Sequence, residues 1–273
     1  MSIRLKPRPS HFPNWLSALR AHWPLYVYEA AELAAFMLSA CLSTALLFDS
    51  RSPVTVLGPT LRRFLMGLSM GLTAVLIIKS PWGKRSGAHF NPAISLTFYR
   101  LGKIGPRDTV FYVLAHFVGA PLGVALSALL LGPIIRLPQV NYAVTVPGIG
   151  GPAGAFAAET FMAALLMGVV LASSNSKRFA PYTTWMMGVL ITGYVFVFAP
   201  VSGFSINPAR TFGSAVVAGV WTSWWMYFTA PLLGMFGAAE MYVRGMRSEP
   251  EQQRYFAHRH LIQRAEREAK EMR

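Results

Sequence analysis

Six segments of this chain are each about twenty residues long and almost entirely apolar. A helix needs about 20 apolar residues to cross the hydrocarbon core of a bilayer. The chain as a whole is 53% hydrophobic and 13% charged, whereas an ordinary soluble domain carries about 25% charged residues. We therefore predict an all-α membrane protein with six transmembrane helices. The spans are expected at residues 27–48, 61–79, 109–131, 153–172, 182–200 and 222–243.

Two further apolar stretches are too short to cross a bilayer, and each begins with Asn-Pro-Ala. One starts at Asn91 and reaches about Arg100, and the other starts at Asn207 and reaches about Val220. The order along the chain is span, span, half-helix, span, and the same order then repeats. We thus expect a channel domain over 27–243, a cytoplasmic segment over 1–26 and a basic cytoplasmic tail over 244–273. The two halves of the channel domain are 27–131 and 153–243.

The loops before these two stretches repeat an eight-residue pattern. The first copy is Ser86-Gly87-Ala88-His89-Phe90-Asn91-Pro92-Ala93, and the second is Ser202-Gly203-Phe204-Ser205-Ile206-Asn207-Pro208-Ala209. Three spans separate the copies, so the second copy faces the opposite side of the membrane. Inverted repeats of this kind place their working site near the bilayer midplane, between discontinuous helices.

The Asn-Pro-Ala tripeptide suits the start of a helix inside the bilayer. Asn is a preferred N-cap because its side-chain oxygen accepts from first-turn N–H groups, and Pro fits the first helical position. With their oxygens capping the helices, Asn91 and Asn207 should have amide NH2 groups free to face a pore. Each helix N-terminus carries roughly half a positive charge, which opposes cations and protons but not neutral molecules.

These two loops resemble the signature loops of the aquaporin, or major intrinsic protein, family over about residues 27–243. The resemblance implies a homotetramer with one aquaporin-like pore in each subunit. It also implies that Arg210 is the arginine of a selectivity filter and that His89 contributes its backbone rather than a metal ligand. The pore centre would be Asn91, Pro92, Ala93, Asn207, Pro208 and Ala209. The carbonyls that line the pore would be those of Gly87, Ala88, His89, Gly203, Phe204 and Ser205.

The other filter positions depart from the water-specific pattern of the family. Counting from the second motif places Phe204 where water-specific members often carry a small residue. The fifth-span position falls at Val195, or at Tyr194 if the loop has one extra residue. The second-span position falls at Gly71, or at Met70 with the same ambiguity. Other markers favour water over glycerol, and they are Thr211, Ala215 and the pair Tyr227-Phe228.

A carboxylate occupies matching positions in the two halves, in Ala31-Glu32-Leu33 and in Ala158-Glu159-Thr160. A buried Glu in a span usually faces the bundle interior and has a partner. Non-helical loops at membrane depth need partners for their backbone groups. We therefore expect Glu32 and Glu159 to anchor the two loops by accepting their N–H groups. Glu29 lies on the same face as Glu32 and nearer the cytoplasmic edge; it is a competing candidate for this role, but we expect it at the interface.

The basic residues predict the orientation of the chain. Of its 25 Lys and Arg residues, five fall on one side of the predicted spans and the others on the opposite side. Positively charged loops face the cytoplasm, so both termini should be cytoplasmic in a multi-pass protein of the plasma membrane. The net charge of +14 then points to anionic lipid rather than to nucleic acid. The five outer residues are Arg51, Arg62, Arg63, Arg136 and Arg210.

The sequence thus predicts a passive channel for water that excludes protons and ions. One alternative is a facilitator of glycerol, hydrogen peroxide, ammonia or a neutral metalloid acid through the same pore. A second alternative is a proton-coupled transporter that uses Glu32 or Glu159. No nucleophile–base pair, metal-ligand spacing or phosphate-binding loop occurs in the spans, so we expect no enzyme activity, metal or cofactor.

Overall fold

The computed structural model describes residues 14–247, and all structural statements below concern these residues. The predicted tail from residue 248 onwards and the first thirteen residues lie outside this part. The described chain folds into nine α-helices joined by short loops and 3-10 turns, without a β-strand. The six long helices are α1 (Trp15–Phe48), α2 (Pro59–Lys79), α5 (Pro106–Leu131), α6 (Gly151–Ser174), α7 (Thr183–Ser202) and α9 (Trp224–Arg247). The three short ones are α3 (Pro81–Ser86), α4 (Pro92–Arg100) and α8 (Pro208–Ala218).

Five of the six long helices, all except α9, are long and apolar enough to cross a membrane. Helix α9 has 24 residues, about 36 Å of helix at 1.5 Å per residue, but its last turns contain Glu240 and Arg244. It packs along α6 as α5 packs along α1, while α2 packs along α7. Helix α9 therefore completes a bundle of six long helices, and the predicted all-α architecture is confirmed.

Helix α1 begins at Trp15, well before the first predicted span. The helix can start there because Asn14 forms a capping box with Ser17, and Pro24 does not end it. The early turns pack on α5, where the ring of Tyr26 stacks on Phe111 with centroids 4.8 Å apart. The helix therefore begins twelve residues before the predicted span, because capping and aromatic packing extend it towards the N-terminus.

Small residues let the paired helices approach closely, as is common in membrane proteins. A Cβ added to Gly119 or Gly123 of α5 would overlap the backbone of Ala30 or Ala34 in α1. The matching pair in the other half is similar, because a Cβ on Gly234 of α9 would overlap the backbone of α6. The two short helices α4 and α8 lie within the bundle, where they contact each other and α5.

Candidate pore site

The half-helices α4 and α8 each begin with a capping asparagine followed by proline. The Oδ1 atom of Asn91 accepts from the N–H of Ala93 at 2.9 Å. The Oδ1 atom of Asn207 accepts from the N–H groups of Ala209 at 3.1 Å and Arg210 at 3.2 Å. The residues Pro92, Ala93, Pro208 and Ala209 form the first turns of these helices and are buried. Both helix N-termini therefore point into the interior of the bundle.

Each capping asparagine also donates a hydrogen bond to the opposite loop. The Nδ2 atom of Asn91 donates to the carbonyl oxygen of Ile206 at 2.8 Å. The Nδ2 atom of Asn207 donates to the carbonyl oxygen of Phe90, also at 2.8 Å. The expectation that both amide NH2 groups are wholly free is therefore wrong, because each meets a carbonyl of the other half. One hydrogen of each amide remains for another acceptor.

The loops before the half-helices have the same unusual backbone conformation. Ala88 and Phe90 have φ values of 51° and 30°, and Phe204 and Ile206 have φ values of 55° and 46°. Non-glycine residues seldom adopt this left-handed region, which costs about 1–2 kcal/mol per residue. Such a backbone persists only when its surroundings hold it in place, so both loops require anchors.

Glu159 of α6 anchors the second loop. Its Oε1 atom accepts from the hydroxyl of Ser202 at 2.6 Å and from the N–H of Ser205 at 2.9 Å. Its Oε2 atom accepts from the N–H of Ile206 at 2.5 Å. Glu159 is fully buried, and both of its oxygens are used. This is the arrangement that we expected for this residue from the sequence.

The first loop is anchored differently, and the role that we expected for Glu32 is wrong. The N–H groups of His89 and Phe90 donate to Glu29, at 3.0 and 2.6 Å. Glu29 is also 2.8 Å from the Nε2 atom of His116 in α5 and is fully buried, so it does not lie at an interface. Glu32 accepts only from the hydroxyl of Ser86, at 2.9 Å.

This difference has a physical cause that the sequence only partly reveals. Glu29 lies one turn before Glu32 on the same face of α1, and His116 gives it a cationic or hydrogen-bonding partner inside the bundle. A buried carboxylate is tolerated when it is paired and hydrogen-bonded. The signal that could have revealed the anchor is a histidine in the third span, with a second glutamate in the first.

The ring of His89 packs inside the bundle and forms a hydrogen bond there. Its Nδ1 atom is 2.8 Å from the hydroxyl of Ser95, and its ring contacts the edges of Phe98 and Tyr112. Within residues 14–247, no group of three His, Cys, Asp or Glu side chains is arranged to hold a metal ion.

Arg210 lies buried beside the second loop, where its Nη1 atom donates to the carbonyl oxygen of Ala143 at 2.7 Å. Phe204 lies in the main hydrophobic core of the bundle, and its ring centroid is 6.2 Å from that of Tyr194. Val195 and Met70 are also buried in that core. Four of the proposed filter residues, Met70, Tyr194, Val195 and Phe204, are therefore buried in the same hydrophobic core.

Gly71 does not face this region, so its assignment as a filter position is wrong. A Cβ added to Gly71 would overlap Gly188 and Thr192 of α7, which means that Gly71 lies where α2 crosses α7. The preceding residue, Met70, points into the core and is 2% exposed. Of the two predicted positions, Met70 is therefore the one with a side chain in the core, because Gly71 lies at the close crossing of α2 and α7.

A cavity of about 430 Å³ opens at the end of the bundle that contains Lys84. Gly87, Ala88 and His89 of the first loop line the cavity, together with Lys79 and Lys84. Most of its remaining walls are apolar. Those residues include Ile94, Phe98, Leu166, Met167, Val170 and Met187.

Comparison with known proteins identifies the family. The Major intrinsic protein family model matches residues 29–242. The chain belongs to this family. Among its relatives, Aquaporin-8 of Rattus norvegicus is 32% identical over 215 residues, which are 77% of each chain. The probable aquaporin AqpM of Archaeoglobus fulgidus is 31% identical over 186 residues, 66% of this chain and 75% of that protein.

Other relatives in the major intrinsic protein family are matched over a shorter part. The probable NIP-type aquaporin of Nicotiana alata is 35% identical over 169 residues, 62% of this chain. The chain spans 61% of the length of that relative. The solved structure of the aquaglyceroporin from Plasmodium falciparum superposes with a TM-score of 0.70, at 20% identity. The superposition covers 81% of this chain and 95% of the aquaglyceroporin chain, which confirms the aquaporin-like fold.

Proposed function

We propose that this protein is a passive channel that conducts water and excludes protons and ions. The observation that carries the proposal is the reciprocal pair Asn91 and Asn207, whose amides bond across two inverted half-helices. After these bonds, each amide retains one hydrogen. A water oxygen between the two asparagines would accept both hydrogens, and its own hydrogens would then point away along the pore in both directions.

Charge exclusion follows from the same geometry. The N-termini of α4 and α8 meet near the asparagine pair, and each carries roughly half a positive charge. Arg210 adds a full positive charge beside the second loop. These charges raise the energy of a cation or a hydronium ion, but they have little effect on a neutral molecule.

A second candidate is conduction of small neutral solutes that have an apolar side, such as glycerol or ammonia. Phe204, Val195 and Met70 are buried apolar residues of the hydrophobic core, and in this second candidate their side chains form the walls of the pore around Arg210. Such walls do not compensate a polar solute for the hydrogen bonds it loses in water, but they accommodate carbon–hydrogen groups well. Arg210 would bond to the hydroxyl or amine of the solute.

A proton-coupled transporter has less support. Both oxygens of Glu159 accept hydrogen bonds that hold the second loop, so a proton on this carboxyl would displace an anchoring bond. The orientation is also part of our proposal. We place the Lys84 end and both termini in the cytoplasm of a cell with this protein in its plasma membrane, and we propose a homotetramer surrounded by lipid.

Stopped-flow light scattering on proteoliposomes tests the water channel. We expect vesicles with the wild-type protein to shrink much faster than empty vesicles in an osmotic gradient. The double variant Asn91→Ala and Asn207→Ala should lose most of this permeability. The matched control is Asn175→Ala, an exposed asparagine that caps the end of α6, and it should conduct normally.

The same vesicles distinguish the alternatives. Water permeability equal to that of empty vesicles would refute the proposed function. Rapid glycerol or ammonia entry together with slow water flow would support the second candidate. Solute uptake that requires a pH gradient would support the transporter.

A further inference from the structure

The two halves of the molecule can be aligned by their hydrogen bonds rather than by their sequence. Tyr112 of α5 donates to the carbonyl oxygen of Ser86 at 2.7 Å, and Tyr227 of α9 donates to that of Ser202 at 2.7 Å. The serine hydroxyls donate in turn to Glu32 and to Glu159. Glu32 is therefore the structural counterpart of Glu159.

Glu32 and Glu159 nevertheless accept different hydrogen bonds. Glu159 accepts two loop N–H groups in addition to the serine hydroxyl. In the first half, the corresponding N–H groups donate to Glu29. The residue that corresponds to Glu29 in α6 is Phe156, and the residue that corresponds to His116 in α9 is Pro231. The pair of Glu29 and His116 is thus an addition that only the first half possesses.

Because the loop N–H groups donate to Glu29, one carboxylate oxygen of Glu32 accepts no hydrogen bond within residues 14–247. Its Oε2 atom is buried and has no hydrogen-bond partner among the described residues, although Glu159 uses the same atom to hold Ile206. Glu29 and Glu32 are one turn apart on one face of α1. The first loop therefore has two carboxylates near it, and either one has oxygens enough to accept its two N–H groups.

We propose that the first loop has two anchored states, in which its N–H groups donate either to Glu29 or to Glu32. His116 favours the Glu29 state, because its Nε2 atom holds that carboxylate in place. Gly87, Ala88 and His89 line the cavity, so a change of anchor would alter its wall. An effect of this change on conduction rests on the proposed function, whereas the two anchored states do not. Glu29, Glu32 and His116 are positioning residues.

Hydrogen exchange of the loop amides, followed by mass spectrometry on the intact protein in liposomes, tests the two states without measuring conduction. In the variant Glu29→Leu, the exchange rate of the amides in the 86–91 segment should stay within about tenfold of the wild-type rate, because the loop N–H groups then donate to Glu32. Glu32→Leu should also have a small effect. The double variant should exchange roughly a hundredfold faster, since loss of two bonds to a charged acceptor has about that effect.

Glu159→Leu is the matched control, because Phe156 stands one turn before Glu159 and no second carboxylate bonds to the second loop within residues 14–247. This single change should raise exchange of the 202–207 segment roughly a hundredfold. A hundredfold rise in the first loop of Glu29→Leu would refute the two-state proposal, even if the double variant does not fold. A protected second loop in Glu159→Leu would also refute it, because carboxylates would then not anchor these loops.

Rescue by a conservative variant tests the part played by His116. In the Glu32→Leu background, His116→Leu should expose the first loop, whereas His116→Gln should protect it because glutamine retains a donor. Equal exchange in the two variants would refute a positioning role for His116. In vesicles, Glu29→Leu should change water permeability without abolishing it, and an unchanged value would refute the link between the anchor and conduction.

Discussion

Replacement of Asn91 by aspartate should convert a neutral-solute channel into one that leaks cations. The change preserves the capping oxygen that accepts from Ala93 and removes the donor to Ile206. It also adds a full negative charge where the N-termini of α4 and α8 meet. Because each N-terminus carries roughly +0.5 charge, the added negative charge offsets the sum of the two partial charges.

The size of the effect follows from Coulomb's law. At about 4 Å and an effective dielectric constant of about 20, one unit charge changes the energy of a monovalent cation by about 4 kcal/mol. Because about 1.4 kcal/mol corresponds to a factor of ten, cation passage should rise by up to roughly a thousandfold. Loss of the donor to the buried Ile206 carbonyl should lower the free energy of unfolding by about 1–3 kcal/mol, so folding and insertion of the variant are checked alongside the flux.

The assay measures potassium and proton flux into vesicles with an internal pH-sensitive dye, at about pH 8. This pH is about four units above the ordinary pKa of an aspartate, and the two helix N-termini favour the ionised form. The matched control is Asn175→Asp, which adds the same charge at the exposed end of α6. Cation flux equal to that of the wild type, in a variant that is folded and inserted normally, would refute the electrostatic account of ion exclusion.

Three further predictions concern the filter and the helix packing. Arg210→Ala should admit bulkier neutral solutes and leak cations or protons, as measured by urea uptake and dye response, and unchanged selectivity would remove Arg210 from the filter. Phe204→Ala removes a buried ring beside Tyr194 and should raise glycerol uptake severalfold relative to water flow, whereas an unchanged ratio would show that this ring does not limit the pore. Gly123→Ala should lower the free energy of unfolding by about 1–3 kcal/mol, because its Cβ overlaps the backbone of Ala34. Gly168→Ala, whose Cβ meets nothing within 4 Å, should have little effect in the same thermal denaturation, and equal effects would contradict this packing argument.

The sequence predicted the architecture well because its signals are local. The length of an apolar segment identifies a span, and the dipeptide Asn-Pro identifies the start of a half-helix. Neither signal requires knowledge of a distant residue. Asn91 and Asn207 begin α4 and α8 for this reason. The early start of α1 was missed because the packing of Tyr26 on α5 is a tertiary contact.

The site was predicted less completely because its details depend on which residues meet across the bundle. The cross-donation from each asparagine to the other loop requires the two halves to be in contact. Similarly, the sequence aligns Glu32 with Glu159, but only the position of His116 explains why Glu29 holds the loop. Gly71 was ambiguous by counting, and its contact with α7 resolves the ambiguity.

The most direct test of the account is a high-resolution density map of the protein in a lipid bilayer, in which ordered water is visible. The account predicts a single file of water from the Lys84 cavity to Arg210, with one molecule bonded to the amides of both Asn91 and Asn207. A dry region between the two asparagines, or amides that face away from any water path, would contradict it.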